Sequence, residues 1–277
     1  MRDKVPSPHP GVRAAQFNRQ AAGVGGCKAV GVRTVAEWHH MLVAEMRLPE
    51  VAEKELRERG FTIVAGPTLP GGHNQYSVAF DKAEAEADPS DVSIRSSTRI
   101  NDFVNRGAEF DGIYTFGPLL GACVATIGKP FKLSGMRARI LEPGAPVEAL
   151  HVDVKHGAKD WPILGGIFMI DAFTPDNGAT RFVSGSHLQS ADPGDGMPDT
   201  LDPHEDQVLA CGPAGSLIIF NASVWHGHSA NRSRARRRSI QVHFVAREAQ
   251  ESTHHATRMR VETMHRIGPL ARYVLDV

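Results

Sequence analysis

The sequence predicts a mainly β fold with flanking helices, its C-terminal part closing into a jelly-roll barrel. Three observations carry that prediction. From residue 131 onward, short β-type segments recur at 131–141, 148–155, 165–173, 180–184, 207–210, 215–221 and 237–246, separated by clusters of Gly, Pro, Asp and Asn. Short strands at such spacing argue for a sandwich or a barrel. Ahead of them, apolar residues recur at helical spacing instead. Finally, 277 residues that are 41% hydrophobic, with no internal repeat, suffice for one domain with a sizeable core.

Taken in order, residues 1–30 are rich in Gly, Pro and Ala without a sustained period, which predicts a flexible N-terminal extension. Residues 31–277 are then a single domain with its barrel core at about 131–247. Residues 34–59 read as helix through Trp38, Met41, Leu42, Met46, Val51 and Leu56, and Pro49 breaks that helix in two. Phe61 to Ala65 is a short β-type run after Gly60. A second helical stretch is expected over 97–127, interrupted near Gly117-Pro118. The polar segment 191–207 is a loop long enough to be a lid or a surface excursion.

Composition narrows the function. A net charge of zero offers no general attraction to nucleic acid or anionic membranes. The apolar stretch from Trp161 to Ile170 is about ten residues, against the ~20 needed to span a bilayer. The N-terminus lacks the apolar region of a secretory signal. Cys27, Cys123 and Cys211 are scattered without CxxC spacing, which suggests a reducing compartment and no thiolate metal site. A cytoplasmic protein is expected, acting on a small molecule without nucleic-acid or membrane partners, and compatible with a homodimer.

The chemistry sits in three places. His151-Val152-Asp153 puts two metal-binding side chains on one face if the segment is a strand. With 14 histidines, about one such triplet is expected by accident, and His204-Glu205-Asp206 is a second copy in a loop that fixes neither side chain. His226, following the apolar run 216–225, supplies a distant third ligand, and His228 shares its face if the strand continues. Two histidines and one carboxylate with open positions opposite suit a non-haem Fe(II) site. Arg237 belongs to a basic run, yet strand parity separates it from the apolar Ile240, Val242 and Phe244. It falls with Ser239, Gln241 and His243 on a polar face that suits a barrel lumen, where an arginine needs an anion.

These residues resemble the phytanoyl-CoA dioxygenase family of Fe(II)/2-oxoglutarate oxygenases. The likeness runs through LHVD at 150–153, DNGATRFVSGSHL at 176–188 and WHGHSANRSRARRRSIQVHF at 225–244, and spans roughly residues 131–247. The resemblance implies a double-stranded β-helix, that is, a cupin-like jelly roll. It implies His151, Asp153 and His226 as iron ligands, His226 because it opens His-Gly-x-x-x-Asn231. It implies Arg237 as the partner of the 2-oxoglutarate C5 carboxylate and Thr180 as a hydroxyl donor to that cosubstrate. Asn231 and Gly185-Ser186-His187 would shape turns. Two departures stand out: His228 replaces a small residue, and Ser184 replaces a proline. Because Asp153 is present, halogenation, which needs that position free on iron, is not expected.

The implied activity consumes O2 and 2-oxoglutarate, releases succinate and CO2, and oxidises an unactivated C–H bond by hydroxylation, cyclisation, epimerisation or desaturation. Without a basic cradle for a coenzyme A nucleotide in the sequence, a free and largely apolar secondary metabolite is the expected substrate. Arg137, Arg139, Trp161, Phe168 and Met169 read as structural rather than substrate-contacting. The rival readings are a cupin-like metalloenzyme that does not use 2-oxoglutarate and a non-catalytic metal- or ligand-binding barrel.

Overall fold

The computed structural model describes residues 33–157 and 162–277. The expected extension over 1–30 and the side chain of Trp161 lie outside the described residues. Helix α1 (Val35–Glu45) starts at a capping box, in which the Thr34 hydroxyl accepts from the Glu37 amide and the Glu37 carboxylate accepts from the Thr34 amide. Pro49 separates it from α2 (Glu50–Arg59), as the sequence predicts. Gly60, in the left-handed region, ends α2 and starts β1 (Phe61–Ala65).

The expected helix over 97–127 is corrected at its first half. After α3 (Asn74–Ala85) come β2 (Val92–Ile94) and β3 (Thr98–Ile100), a hairpin that pairs through β3 with the next long strand. Three-residue strands are too short to show a period of two, and their conformation comes from that pairing. Single 3-10 turns at Phe103–Asn105 and Ala108–Phe110 follow the hairpin, and α-helix begins with α4 (Asp111–Tyr114) and α5 (Gly117–Ile127). The stretch Ala108–Ile127 has the length and mean hydropathy, 1.3, that a membrane crossing needs, but half of it is buried in the protein. Leu119, Leu120, Ala122 and Cys123 are all fully buried, so it is packed as a core helix.

The remaining strands are β4 (Phe131–Leu141), β5 (Leu164–Met169), β6 (Thr180–Val183), β7 (Gln207–Ala210), β8 (Ser216–Asn221), β9 (His226–His228) and β10 (Arg237–Ala246), with α6 (Pro193–Gly196) between β6 and β7. Three short helices follow: α7 (His255–Arg258), α8 (Val261–Arg266) and α9 (Pro269–Leu275). All pairing is antiparallel, in a seven-stranded sheet of order β1-β8-β5-β10-β4-β3-β2 and a three-stranded sheet of order β7-β6-β9. The two sheets pack through Phe61, Ile167, Ile218 and Phe220 of the first against Phe182 and Ala210 of the second. The helices cover the large sheet's other face, through Leu42, Leu56, Phe80 and Leu120 against Leu133, Phe168, Ile240 and Val242. This is the expected jelly roll with flanking helices, open as two sheets rather than a closed ring. Phe168 and Met169 are fully buried, one in each core, and are structural as expected.

Residues 148–155 do not form the expected strand. Only an isolated bridge, His151 to His226, is present, and the segment is held by separate backbone bonds from Glu148, Leu150, His151 and Asp153. The run 216–225 is likewise not continuous. The chain turns at Asn221, whose side chain accepts from the Ser223 amide, and crosses from the large sheet to the small one before His226.

One buried group gives the fold an acid-sensitive point. His255 is 4% exposed, and burial holds its imidazole down at about 4. The unfolded chain protonates it near 6.5. Its contribution is therefore intact above that value and is lost as pH falls towards 4, by about 2 kcal/mol at pH 5. Thermal unfolding from pH 7 to 5 is expected to show this decline and His255→Leu to flatten it. Parallel slopes in both proteins would remove His255 as the cause.

Candidate active site

The site forms where the segment before β5 crosses the start of β9. His151 and His226 exchange both backbone hydrogen bonds at 2.9 Å, which brings their rings to a centroid separation of 4.4 Å. Gly227 permits the crossing, since a Cβ there would lie 2.9 Å from the Glu148 carbonyl oxygen and 3.0 Å from that of Ala149. The Asp153 amide donates to the Ala222 carbonyl in the turn after β8, which aims its carboxylate at the same point. The ligand atoms of His151, Asp153 and His226 then all lie within 4.8 Å of one another, a set that could hold a metal ion.

The ring tautomers suit that task. His151 Nδ1 donates to the Ala149 carbonyl at 3.0 Å and His226 Nδ1 to the Val224 carbonyl at 2.9 Å. Each ring is thereby left with a bare Nε2, the lone pair a metal needs. Burial holds His226 below its ordinary pKa, so it stays a neutral ligand. Burial alone would raise the Asp153 carboxyl, but the charge of His226, 3.6 Å away, whenever that ring is protonated, and the hydrogen bond from His243 Nε2, 3.4 Å away, hold it far below the usual range. The donor set is two neutral imidazoles and one carboxylate. His204-Glu205-Asp206 is not part of it.

These residues face a cavity of about 400 Å³. Thr180, paired with His228 across β6 and β9, lines it, as do Gln241 and His243. Arg237 lies on the same face of β10 as those two and is 2% exposed. Its guanidinium stacks 4.1 Å over the Phe173 ring and donates to the Gly178 carbonyl and the Ser239 hydroxyl. Gly178 can present that carbonyl because it adopts φ +84, where a side chain would strike Leu141. Arg237 Nε has no partner, no carboxylate lies within ion-pair distance among the described residues, and burial pulls the group down to about 9. A buried cation without an anion is costly unless a ligand supplies one. Asn231 holds the turn before β10, donating to the Leu141 and Ala235 carbonyls and accepting from Ser233.

Four contributors to the site escaped the sequence. Arg99 reaches the cavity from β3, in the stretch expected to be helix. Glu148 lines it too, paired with Arg139 at 2.7 Å and with Arg99 at 3.5 Å. His243, placed on the lumen face by parity but given no task, bonds Asp153. Arg181 anchors the loop beneath, as argued below. Arg137 and Arg139, expected to be structural, both line the cavity. The expectation of a largely apolar substrate therefore fits this lining poorly: Ile167 and Phe220 are its large apolar side chains, against three arginines.

Residues 133–239 match the model of the phytanoyl-CoA dioxygenase (PhyH) family, in keeping with the resemblance carried by the three sequence blocks. The chain is 32% identical over 134 residues to the dioxygenase cdmA of Talaromyces verruculosus, covering 45% of this chain and 44% of that one. It is 33% identical over 144 residues to the dioxygenase trt7 of Aspergillus terreus, covering 48% and 46%. The matched region thus spans less than half of the length of these relatives. Among solved structures, the non-haem α-ketoglutarate-dependent carbocyclase SnoK from nogalamycin biosynthesis superposes with a TM-score of 0.62 at 16% identity, over 77% of this chain and 92% of that one. HygX from Streptomyces hygroscopicus, with nickel and 2-oxoglutarate bound, gives 0.62 at 14% identity, over 74% and 90%. At such identities the likeness establishes the shared fold.

Proposed function

We propose that this chain, phytanoyl-CoA dioxygenase-like over residues 133–239, is an Fe(II)- and 2-oxoglutarate-dependent oxygenase acting on a C–H bond of a small molecule. The observation that carries the reading is the company the metal site keeps. A His/Asp/His set with bare Nε2 atoms faces the cavity that Thr180 and Gln241 line, and on the Gln241 face of β10, buried behind that lining, stands an arginine that lacks an anion. Iron with 2-oxoglutarate supplies an O2-derived oxidant able to attack an unactivated C–H bond, with succinate and CO2 released.

This chain's residues do the positioning. His151, Asp153 and His226 would hold the metal from one side and leave the other open. Arg237 would take the far carboxylate of 2-oxoglutarate, with the Thr180 hydroxyl as a second donor. The His243 imidazole orients the Asp153 carboxylate through Oδ2, the oxygen that also lies nearest His226, and Ile167 and Phe220 are the apolar part of the wall beside it. Placement of the substrate's C–H bonds decides among hydroxylation, cyclisation, epimerisation and desaturation. The superposing carbocyclase from nogalamycin biosynthesis supports a place in secondary-metabolite tailoring.

The test needs no substrate. Metal-free protein given Fe(II) and 2-oxoglutarate without oxygen is expected to show the visible charge-transfer band of the chelated cosubstrate. Arg237→Met removes one partner of a buried charge pair, at about 2–5 kcal/mol, and should raise the 2-oxoglutarate Kd roughly 30-fold or more. Iron binding without a band would overturn the cosubstrate assignment, and absence of iron binding would overturn the whole reading.

A further inference from the structure

We propose that the substrate carries an anionic group, a carboxylate or a phosphate, bound by Arg137 with Arg99 as a second donor. The proposal rests on the oxygenase reading for the word substrate, and on the charges around the cavity for the rest. Three arginines line it: Arg99, Arg137 and Arg139. Arg139 is satisfied, donating from Nε to the Ser97 hydroxyl at 3.0 Å and pairing with Glu148. Arg99 only shares that same carboxylate oxygen, at 3.5 Å, and its buried Nε has no partner. Arg137 donates from Nε to the neutral Gln241 Oε1 at 3.1 Å, and no carboxylate lies within ion-pair distance of it among the described residues.

One carboxylate, Glu148, therefore serves two guanidinium groups and none serves the third. Asp153 does not repair the imbalance, because it belongs to the metal set and to His243. Burial first, and then the neighbouring Arg99, depress the Arg137 guanidinium, and the opposing charges of Asp153 and Glu148 compensate it only in part. A planar guanidinium with both terminal nitrogens uncommitted is suited to bidentate capture of a carboxylate or phosphate.

The position separates this group from the cosubstrate. Arg137 stands opposite Gln241, four residues along β10 from Arg237, about 13 Å at the rise of a strand. Arg137 and His243 also form part of the wall of a second cavity, of about 370 Å³, which Arg258 lines as well. An anion held by Arg137 thus sits where the two cavities meet, with the rest of the molecule free to extend towards the metal ligands. The favoured substrate class is an organic acid or phosphate ester rather than a neutral ester, lactone or amide.

The test uses three fluorinated probes followed by 19F NMR: 4-fluorobenzoate, 4-fluorophenyl phosphate and the neutral 4-fluorobenzamide. They are titrated into the full chain loaded with zinc and saturating 2-oxoglutarate. At least one anion is expected to bind about ten-fold or more tightly than the amide, the effect of one charged hydrogen-bonded contact. Whichever anion binds tighter names the group. The preference should vanish in Arg137→Gln, persist in Arg137→Lys and weaken a few-fold in Arg99→Gln, which also stands in if Arg137→Gln does not fold. Binding of both anions no tighter than the amide, or a preference that survives Arg137→Gln, overturns the proposal. A repeat on metal-free Arg237→Met without 2-oxoglutarate leaves Arg137 to take the anion. Failure of the charge-transfer band would thus sink the oxygenase reading while this titration still decides the anion site.

Discussion

Asp153→Ala is expected to lower metal affinity at least 100-fold and to abolish 2-oxoglutarate turnover. Asp153 is the sole carboxylate in the donor set, and its removal leaves two neutral imidazoles, which neither balance a divalent cation nor complete three ligands on one side. The loss should exceed that from His243→Gln, because His243 touches the carboxylate and not the ion. Groups that orient a ligand in this way cost roughly 10–100-fold when removed. Zinc titration of the metal-free proteins measures both, and anaerobic absorption with Fe(II) and 2-oxoglutarate checks the consequence. Parent-like affinity in Asp153→Ala would move the site to the next carboxylate, Glu148. Its Oε2 is buried without a partner 3.8 Å from His228 Nε2, itself unpartnered. Glu148→Gln would then be the variant that loses the metal.

The ordering of those effects reflects how the site is built. The sequence brings His151, Asp153 and His226 to notice because histidine spacing is local, and the structure does gather them. The reason is different from the one expected. Strand alternation does not hold His151 and Asp153 together, since 148–155 is not a strand. Separate bonds to the His226 and Ala222 carbonyls do so. The long strands β4 and β10 were legible to the residue, because ten or more positions of alternation and clear turn residues define them. The hairpin β2–β3 was not, because each strand has three residues and owes its shape to β4. Losing that hairpin hid Arg99, and with Arg99 the basic character of the cavity. A half-buried salt-bridged glutamate such as Glu148 leaves no local pattern in sequence, because its partners sit on β3 and β4.

Arg181→Met is expected to be the most destabilising single change near the site, by about 3–5 kcal/mol. Arg181 reads as an ordinary charged residue on β6, yet it is 2% exposed. One terminal nitrogen donates to the Leu201 and Asp202 carbonyls and to Gln207 Oε1, the other to the Glu148 and Thr200 carbonyls. One guanidinium thus ties the 200–207 end of the polar loop to the segment that carries Glu148, Ala149 and His151. The loop that sequence offers as a lid or an excursion is in this way fastened to the metal site, with Leu150 donating to Thr200 as a second tie. Methionine fills much of the space but donates nothing, so four backbone carbonyls lose a donor, and the Thr200 carbonyl keeps only the Leu150 amide. For a chain of this size the cost corresponds to a fall in Tm of roughly 6–20 °C. Lysine should recover only part of it, because one ammonium cannot reach the geometry of a five-donor fork. Limited proteolysis supplies the local readout: new cleavage within 191–207 is expected in Arg181→Met and absent in the parent. A Tm within 2 °C or so of the parent with no new cleavage would mean that the loop is held by its other contacts. The coupling of that loop to His151 would then have to run through Leu150 alone.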